Sequence, residues 1–312
     1  MKAFKCMTVA LLALLPLVAG TAFADTGHGY SRMFVFGASF LDPGNHFADT
    51  GETAHPPFDP TLIASYGIGG HHFSNGRTWV EVMAQDMGLT DWAKPAYRDP
   101  AYGNYAYAYV RARPVDNPSG PGLGDQVQDW IDNGYCTFAP MNDTLFVLDS
   151  SFADFFDIFE GADPVAVVGG MVDSMATNIG ILYGCGARHL MVANAPPAGI
   201  APGVPEAYKA IATGLSFEYN LYVQDVLDVY AGEPFNMNIT TVDIFGFFTA
   251  VMTDQETYGF TNVAEPCIAF GVRKDAFCKD RDEYLFWDLL HPTKKAYAMM
   301  GEFALEFLPV LD

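Results

Sequence analysis

Asp288 and His291 stand three residues apart in Tyr284-Leu-Phe-Trp-Asp-Leu-Leu-His-Pro-Thr293, just ahead of a stretch with helical periodicity. That spacing lets a carboxylate orient an imidazole within one short turn. An imidazole held in this way is a general base that needs a nucleophile. The candidate nucleophile is Ser39, near the other end of the chain, in Phe34-Val-Phe-Gly-Ala-Ser-Phe-Leu-Asp-Pro-Gly-Asn45. Taken singly, a serine after a strand is an ordinary helix N-cap, and a histidine before Pro-Thr is an ordinary loop residue. Taken together, the three residue types are those of nucleophilic acyl transfer.

The elements that must bring these ends together are legible in part. Met33 to Phe36 is a continuous apolar run ended by Gly37, the pattern of a strand buried on both faces. Leu145 to Leu148, Leu190 to Ala193 and Asn238 to Val242 repeat it, each stopped by Asp149, Asn194 and Asp243. A further strand is expected near Tyr105 to Val110. Helices are expected over Trp79 to Met87, Val165 to Tyr183, Glu206 to Tyr230, and through Ala296, Met299, Met300, Phe303 and Phe307. Strands alternating with helices predict an α/β fold, a three-layer α/β/α sandwich around a central parallel sheet. Sites in such sheets form at the C-terminal ends of the strands, which places Ser39 and Asp154 on one rim. Residues 42–78 and 244–283 read as long irregular stretches, and loops of that length in a compact domain are usually functional or disordered.

Composition narrows the setting. Residues 1–24 carry Lys2 and Lys5, an apolar run from Val9 to Ala19 and the small-x-small site Ala22-Phe-Ala24. That is the pattern of a cleavable signal peptide, leaving one domain over residues 25–312 in the periplasm or the medium. Cys6 comes too early for lipid attachment. No later stretch reads as long and apolar enough for a transmembrane helix, so no stable membrane anchor is expected. The formal charge of −21 becomes −23 without Lys2 and Lys5, and such a surface repels nucleic acid and anionic membranes. Four cysteines follow the leader: Cys136, Cys185, Cys267 and Cys278. Cys267 and Cys278 flank a short charged loop and are the favoured pair. Cys136 and Cys185 precede neighbouring strands, and the three connectivities stay open. Without a Cys-x-x-Cys, no structural zinc is expected. His71-His72 reads as a solvated pair, so no metal or other cofactor is implied.

In order and spacing, the motifs resemble those of the GDSL-type lipases and esterases of the SGNH hydrolase superfamily. The nearest group is the secreted phospholipase, lecithinase or haemolysin-like one. The first block, Gly-Asp-Ser-x-x-Asp-x-Gly-Asn in the family, is Gly37-Ala38-Ser39-Phe40-Leu41-Asp42-Pro43-Gly44-Asn45 here. Phe73-Ser-Asn-Gly-Arg-Thr-Trp-Val80, Gly186-Ala-Arg-His-Leu-Met-Val192 with Pro196-Pro197, and Tyr258-Gly-Phe-Thr-Asn262 with Cys267 after it are further likenesses. The last block, Asp-x-x-His-Pro-Thr, is intact from Asp288 to Thr293. The resemblance covers nearly all of the chain after the leader. It implies a flavodoxin-like fold, ester hydrolysis, Ser39 as nucleophile, His291 as the base that later protonates the leaving alcohol, and Asp288 as its orienter.

The same resemblance exposes departures. The family stabilises the oxyanion with the serine N–H, a glycine N–H in the second block and an asparagine side chain in the third. The second block corresponds to Asn104-Tyr-Ala-Tyr-Ala-Tyr-Val110, with Tyr109 at the glycine position. Its N–H can still donate, but its Cβ makes a positive φ costly. The third corresponds to Ser151-Phe-Ala-Asp154, where Ala153 has no donor; Ser150 or Ser151 is a candidate substitute. Ala38 replaces the aspartate beside the nucleophile, which would loosen that turn. The oxyanion candidates are therefore Ser39, Tyr109 and Ser151. Tyr105, Tyr107 and Tyr109 alternate as in a packed strand, or could meet substrate. The leading reading is a secreted serine hydrolase of lipid or short acyl esters, with a carbohydrate acetylesterase as its near variant. The reading from another class is a degenerate fold that binds a glycan or lipid.

Overall fold

The computed structural model describes residues 28–50, 71–116, 120–149, 153–268 and 277–311. Four parallel strands form the central sheet in the order β1 (Arg32–Phe36), β2 (Met141–Asp149), β3 (Ala187–Ala193) and β4 (Asn238–Val242). Register pairs Phe36 with Leu148 and Asp149 with Ala193. The C-terminal ends of β1, β2 and β3 therefore share one rim.

Alternation along each strand builds the layers. Phe34 and Phe36 of β1, Phe146 and Leu148 of β2, and Leu190 and Val192 of β3 enter one core. Met33 and Val35, Leu145 and Val147, and Met191 and Ala193 enter the core on the other face. Side chains alternate across a strand, so a run that is apolar throughout must be covered on both faces. The first face carries α3 (Leu123–Asp132), the short α4 (Phe155–Phe159), α5 (Pro164–Gly184) and α6 (Glu206–Ala231); the second carries α2 (Trp79–Asp86), α7 (Ile244–Thr253) and α8 (Lys294–Phe307). The expected three-layer α/β/α sandwich is the architecture found.

Three expectations are corrected. Tyr105 to Val110 is not a strand. Asn104 makes an isolated parallel bridge to Val35, and the N–H groups of Tyr105 and Tyr107 donate to the carbonyls of Val35 and Gly37. The segment lies along the free edge of β1, and its extended path ends where Tyr109 turns to φ 65°. The stretches at 42–78 and 244–283 are not wholly irregular. The first contains α1 (Asn45–Thr50); the second contains α7 and β5 (Asn262–Pro266), which pairs in parallel with β6 (Tyr284–Phe286) just beyond it. Finally, α5 is long and apolar enough to cross a membrane by length and composition alone. Its Val167, Met171, Met175 and Ile179 are buried in the first core, and it packs on α3 and α6. The signal-peptide reading of residues 1–24 lies outside the described residues. Among the described cysteines, Cys136 bonds to Cys185 and Cys267 to Cys278.

Candidate active site

Ser39 sits in the turn that leaves β1, and α1 begins only at Asn45, so the serine is not a helix cap. Gly37 makes the turn possible. Its φ is 153°, and a Cβ there would stand 2.6 Å from Cβ of Asp149. Both polar groups of Gly37 are held by one side chain from α3. Its N–H donates to Gln126 Oε1 at 2.8 Å, and its carbonyl accepts from Gln126 Nε2 at 2.9 Å. The Ala38 carbonyl accepts from the N–H groups of Leu41 and Asp42 at 3.0 and 3.1 Å, and its own N–H lies near the Asp149 carboxyl, so the missing aspartate at 38 leaves a turn that is pinned rather than loose.

Beyond the serine, Asp42 organises the loop. Its fully buried carboxylate accepts from the N–H groups of Gly44, Asn45, His46 and Ala108 at 2.6–3.2 Å. Burial still pushes this carboxyl up to about 6, against the backbone donors that favour its charged form. Asn45 donates to the carbonyls of Asn104 and Ala106, and Asn104 donates to that of Leu41. These bonds lock the edge segment against the serine turn.

The other half of the site arrives from the C-terminus. Leu285 and Phe286 of β6 are buried, and Trp287 packs in a small core with Cys267, Ile268 and Cys278. The N–H groups of Cys267 and Ile268 donate to the carbonyls of Phe286 and Trp287, so the disulfide lies directly beneath the segment entering Asp288. Asp288 Oδ1 accepts from the N–H groups of Leu290 and His291 at 2.7 and 2.6 Å. Its Oδ2 lies 2.8 Å from His291 Nδ1, and His291 Nε2 lies 2.8 Å from Ser39 Oγ. Asp288 and His291 are buried while Ser39 is half-buried. The loop is held from two more sides. Ser74 Oγ donates to the Pro292 carbonyl at 2.8 Å, the Lys294 N–H donates to Asn75 at 2.7 Å, and Thr293 caps α8 while donating to the Tyr284 carbonyl.

A cavity of about 240 Å³ opens beside Ser39 and His291, lined also by Phe73, Ala108, Tyr109, Ala153, Phe156 and Leu290. Tyr109 holds φ 65°, the region that favours glycine, at a cost on the order of 1–2 kcal/mol for a residue with a Cβ. Ala153 lines the cavity with a methyl group, as its type requires. Ser150 and Ser151 lie outside the described residues. Asp154 does reach the rim, but it faces away from the reacting groups, accepting from the Ala112 N–H and pairing with Arg113 at 3.2 Å. Burial pushes its carboxyl up to about 6.

Other sequence candidates are placed elsewhere. Tyr105 and Tyr107 are packed in the interior, and of the three alternating tyrosines only Tyr109 lines the cavity. His71 stacks on Phe47 with ring centres 3.6 Å apart, and His72 Nε2 lies 2.8 Å from Glu81. Sequence reasoning missed Gln126 altogether and read Asp149 only as the end of a strand. Gln126 grips main-chain atoms, which carry no sequence signal, and it lies on a helix that was not expected. Ser74 and Asn75 belong to a recognised block, but their role as a brace for the histidine loop shows only in their partners.

The arrangement can activate a hydroxyl, return a proton to a leaving group and accommodate a small apolar chain next to the reacting atom. The GDSL-like Lipase/Acylhydrolase family model matches residues 33–304. The chain is 23% identical to GDSL esterase/lipase 6 of Arabidopsis thaliana, over 94% of this chain and 91% of that protein. It is 25% identical to the thermolabile hemolysin of Vibrio parahaemolyticus, over 88% of this chain and 63% of that protein.

Proposed function

From the premise that this chain belongs to the GDSL-like lipase/acylhydrolase family and is a carboxylic ester hydrolase, we propose that Ser39, His291 and Asp288 are its catalytic triad. The observation that carries the proposal is the unbroken relay of two 2.8 Å contacts from Asp288 through His291 to Ser39. Ser39 Oγ attacks the ester carbonyl carbon as its proton passes to His291 Nε2. The tetrahedral intermediate then collapses, the C–O bond to the alcohol breaks, and His291 protonates the departing alkoxide. Water, deprotonated by the same nitrogen, adds to the acyl-enzyme and releases the acid with Ser39 restored. Asp288 fixes the imidazole tautomer and balances the charge that appears on it.

The N–H groups of Ser39 and Tyr109 are the proposed oxyanion donors. Ala153 contributes none, and a hydroxyl from Ser151 is the proposed third. One missing donor typically costs about 10²–10³ in rate, which lowers activity without abolishing it. Esters with lipid or short acyl groups are the proposed substrates, consistent with the apolar lining of Phe73, Phe156 and Leu290. Export is proposed from the leader pattern of residues 1–24, and the two disulfides suit an oxidising compartment.

A fluorophosphonate probe and p-nitrophenyl butyrate test the triad together. Ser39→Ala should lose labelling and reduce turnover by at least about 10³-fold. Undiminished labelling in that variant would place the nucleophile elsewhere. Ala153→Asn should raise kcat by about tenfold or more if the oxyanion account is right, since it returns a side-chain donor. An unchanged rate counts against it.

A further inference from the structure

We propose that the side chain of Tyr109 is the stop of the acyl pocket and restricts this hydrolase to short acyl esters. The proposal rests on the reading of Ser39 as nucleophile. Among the described residues, Tyr109 is one of three non-glycine residues at positive φ, with Phe138 and Asn236, and it alone lines the cavity beside Ser39 and His291. Donating a backbone N–H to an oxyanion needs no side chain, and glycine would hold the same backbone without strain. The ring therefore calls for its own explanation.

Its surroundings supply one. The Tyr109 ring meets Phe73 edge-on at 5.2 Å and tilts against His46 at 5.0 Å, while Phe73 lies 5.3 Å from the His291 ring. Tyr109 thus stands one aromatic layer from the imidazole, as one wall of a space lined also by Ala108, Ala153, Phe156 and Leu290, with Arg111 and Glu160 as its charged members. The space that remains, about 240 Å³, is below the range of roughly 300–1,000 Å³ usual for sites that hold larger ligands. His46 sits on α1, whose backbone Asp42 binds, and the Ala108 N–H also donates to Asp42. The wall is therefore anchored on both sides and does not yield readily to a longer chain. Each methylene that fails to fit a shaped apolar pocket is worth about 10–200-fold in discrimination.

The test compares kcat/KM for p-nitrophenyl butyrate and octanoate. The wild-type enzyme should favour butyrate by at least about tenfold. Tyr109→Gly removes ring and strain, and Tyr109→Asn tolerates the same φ with a shorter side chain. Both should raise the octanoate-to-butyrate ratio by at least about tenfold, whereas Tyr109→Phe should keep the wild-type ratio. A wild type that turns over both esters equally, or an unmoved ratio in the glycine and asparagine variants, overturns the proposal. Calorimetry needs no turnover: in a Ser39→Ala background, Tyr109→Gly should tighten octanamide relative to butanamide, and equal changes for both also overturn it. Hydrolysis that survives Ser39→Ala instead indicts the nucleophile, so the two readings fail separately.

Discussion

Burial pushes the Asp149 carboxyl up to about 7, while the nearby Ala38 N–H pulls the other way. The folded protein thus keeps this proton over a range in which the unfolded chain, with an ordinary value near about 4, has lost it. Its contribution to stability is fully present below the unfolded value and is lost as pH rises through about 7. Asp149→Asn retains an acceptor for Ala38 and has no proton to lose. The wild-type melting temperature should therefore fall relative to the variant between about pH 5 and pH 8, with a gap that widens as pH rises. A gap independent of pH would refute this reading. Asp42 and Asp154, both raised by burial, are common to the two proteins, so the difference isolates Asp149. Asp149 was read only as the end of a strand, because nothing local to it shows that its partner is the main chain of another turn. The proposed triad of Ser39, His291 and Asp288 stood out as a set of candidates because of their residue types and the three-residue spacing of Asp288 and His291.

The two disulfides anchor different elements. Cys136–Cys185 joins the approach to β2 with the end of α5, far from the cavity, whereas Cys267–Cys278 underlies the segment that leads from β6 to Asp288. Removing either, as Cys136→Ser/Cys185→Ser or Cys267→Ser/Cys278→Ser, should cost roughly 2–4 kcal/mol in denaturant unfolding. The second pair should also lower turnover of p-nitrophenyl butyrate at temperatures where both variants remain folded, because the loop presenting Asp288 loses its floor. Equal activity in the two variants would show that the Asp288 loop stands without it. Element by element, the four sheet strands were readable from apolar runs closed by Gly37, Asp149, Asn194 and Asp243. Helix α3 was missed although Leu123, Val127 and Trp130 fall at helical spacing and are buried. Helix α7 was missed because its Phe-rich sequence offers only Thr249 and Thr253 as a polar edge, while Asp243, whose side chain accepts from the Gly246 N–H, is the cap that signals it. The Tyr105 segment has a strand's alternation, but its polar groups are taken up by side chains such as Asn45 and Asn104 as well as by β1.

In the whole molecule, the parallel sheet converts distance along the chain into proximity. The strands run the same way, so the loops after β1 and β2 open on one rim, and β6 and α8, both packed in the second core, hold the histidine loop between them. The sequence by itself determined the residue types of the relay, the three-residue spacing of Asp288 and His291, and the alternation of strand and helix. It did so because each is local: one turn, one period, one run of apolar side chains. Only the tertiary structure decided that Ser39 and His291, 252 residues apart, meet at 2.8 Å. It alone decided that Gln126 and Asp149 hold the serine turn, and that Tyr109 occupies a glycine's conformation as a wall of the cavity. Those features depend on main-chain groups and packed rings brought together from distant segments, and neither a residue's type nor its spacing records which backbone atoms or neighbours it will meet.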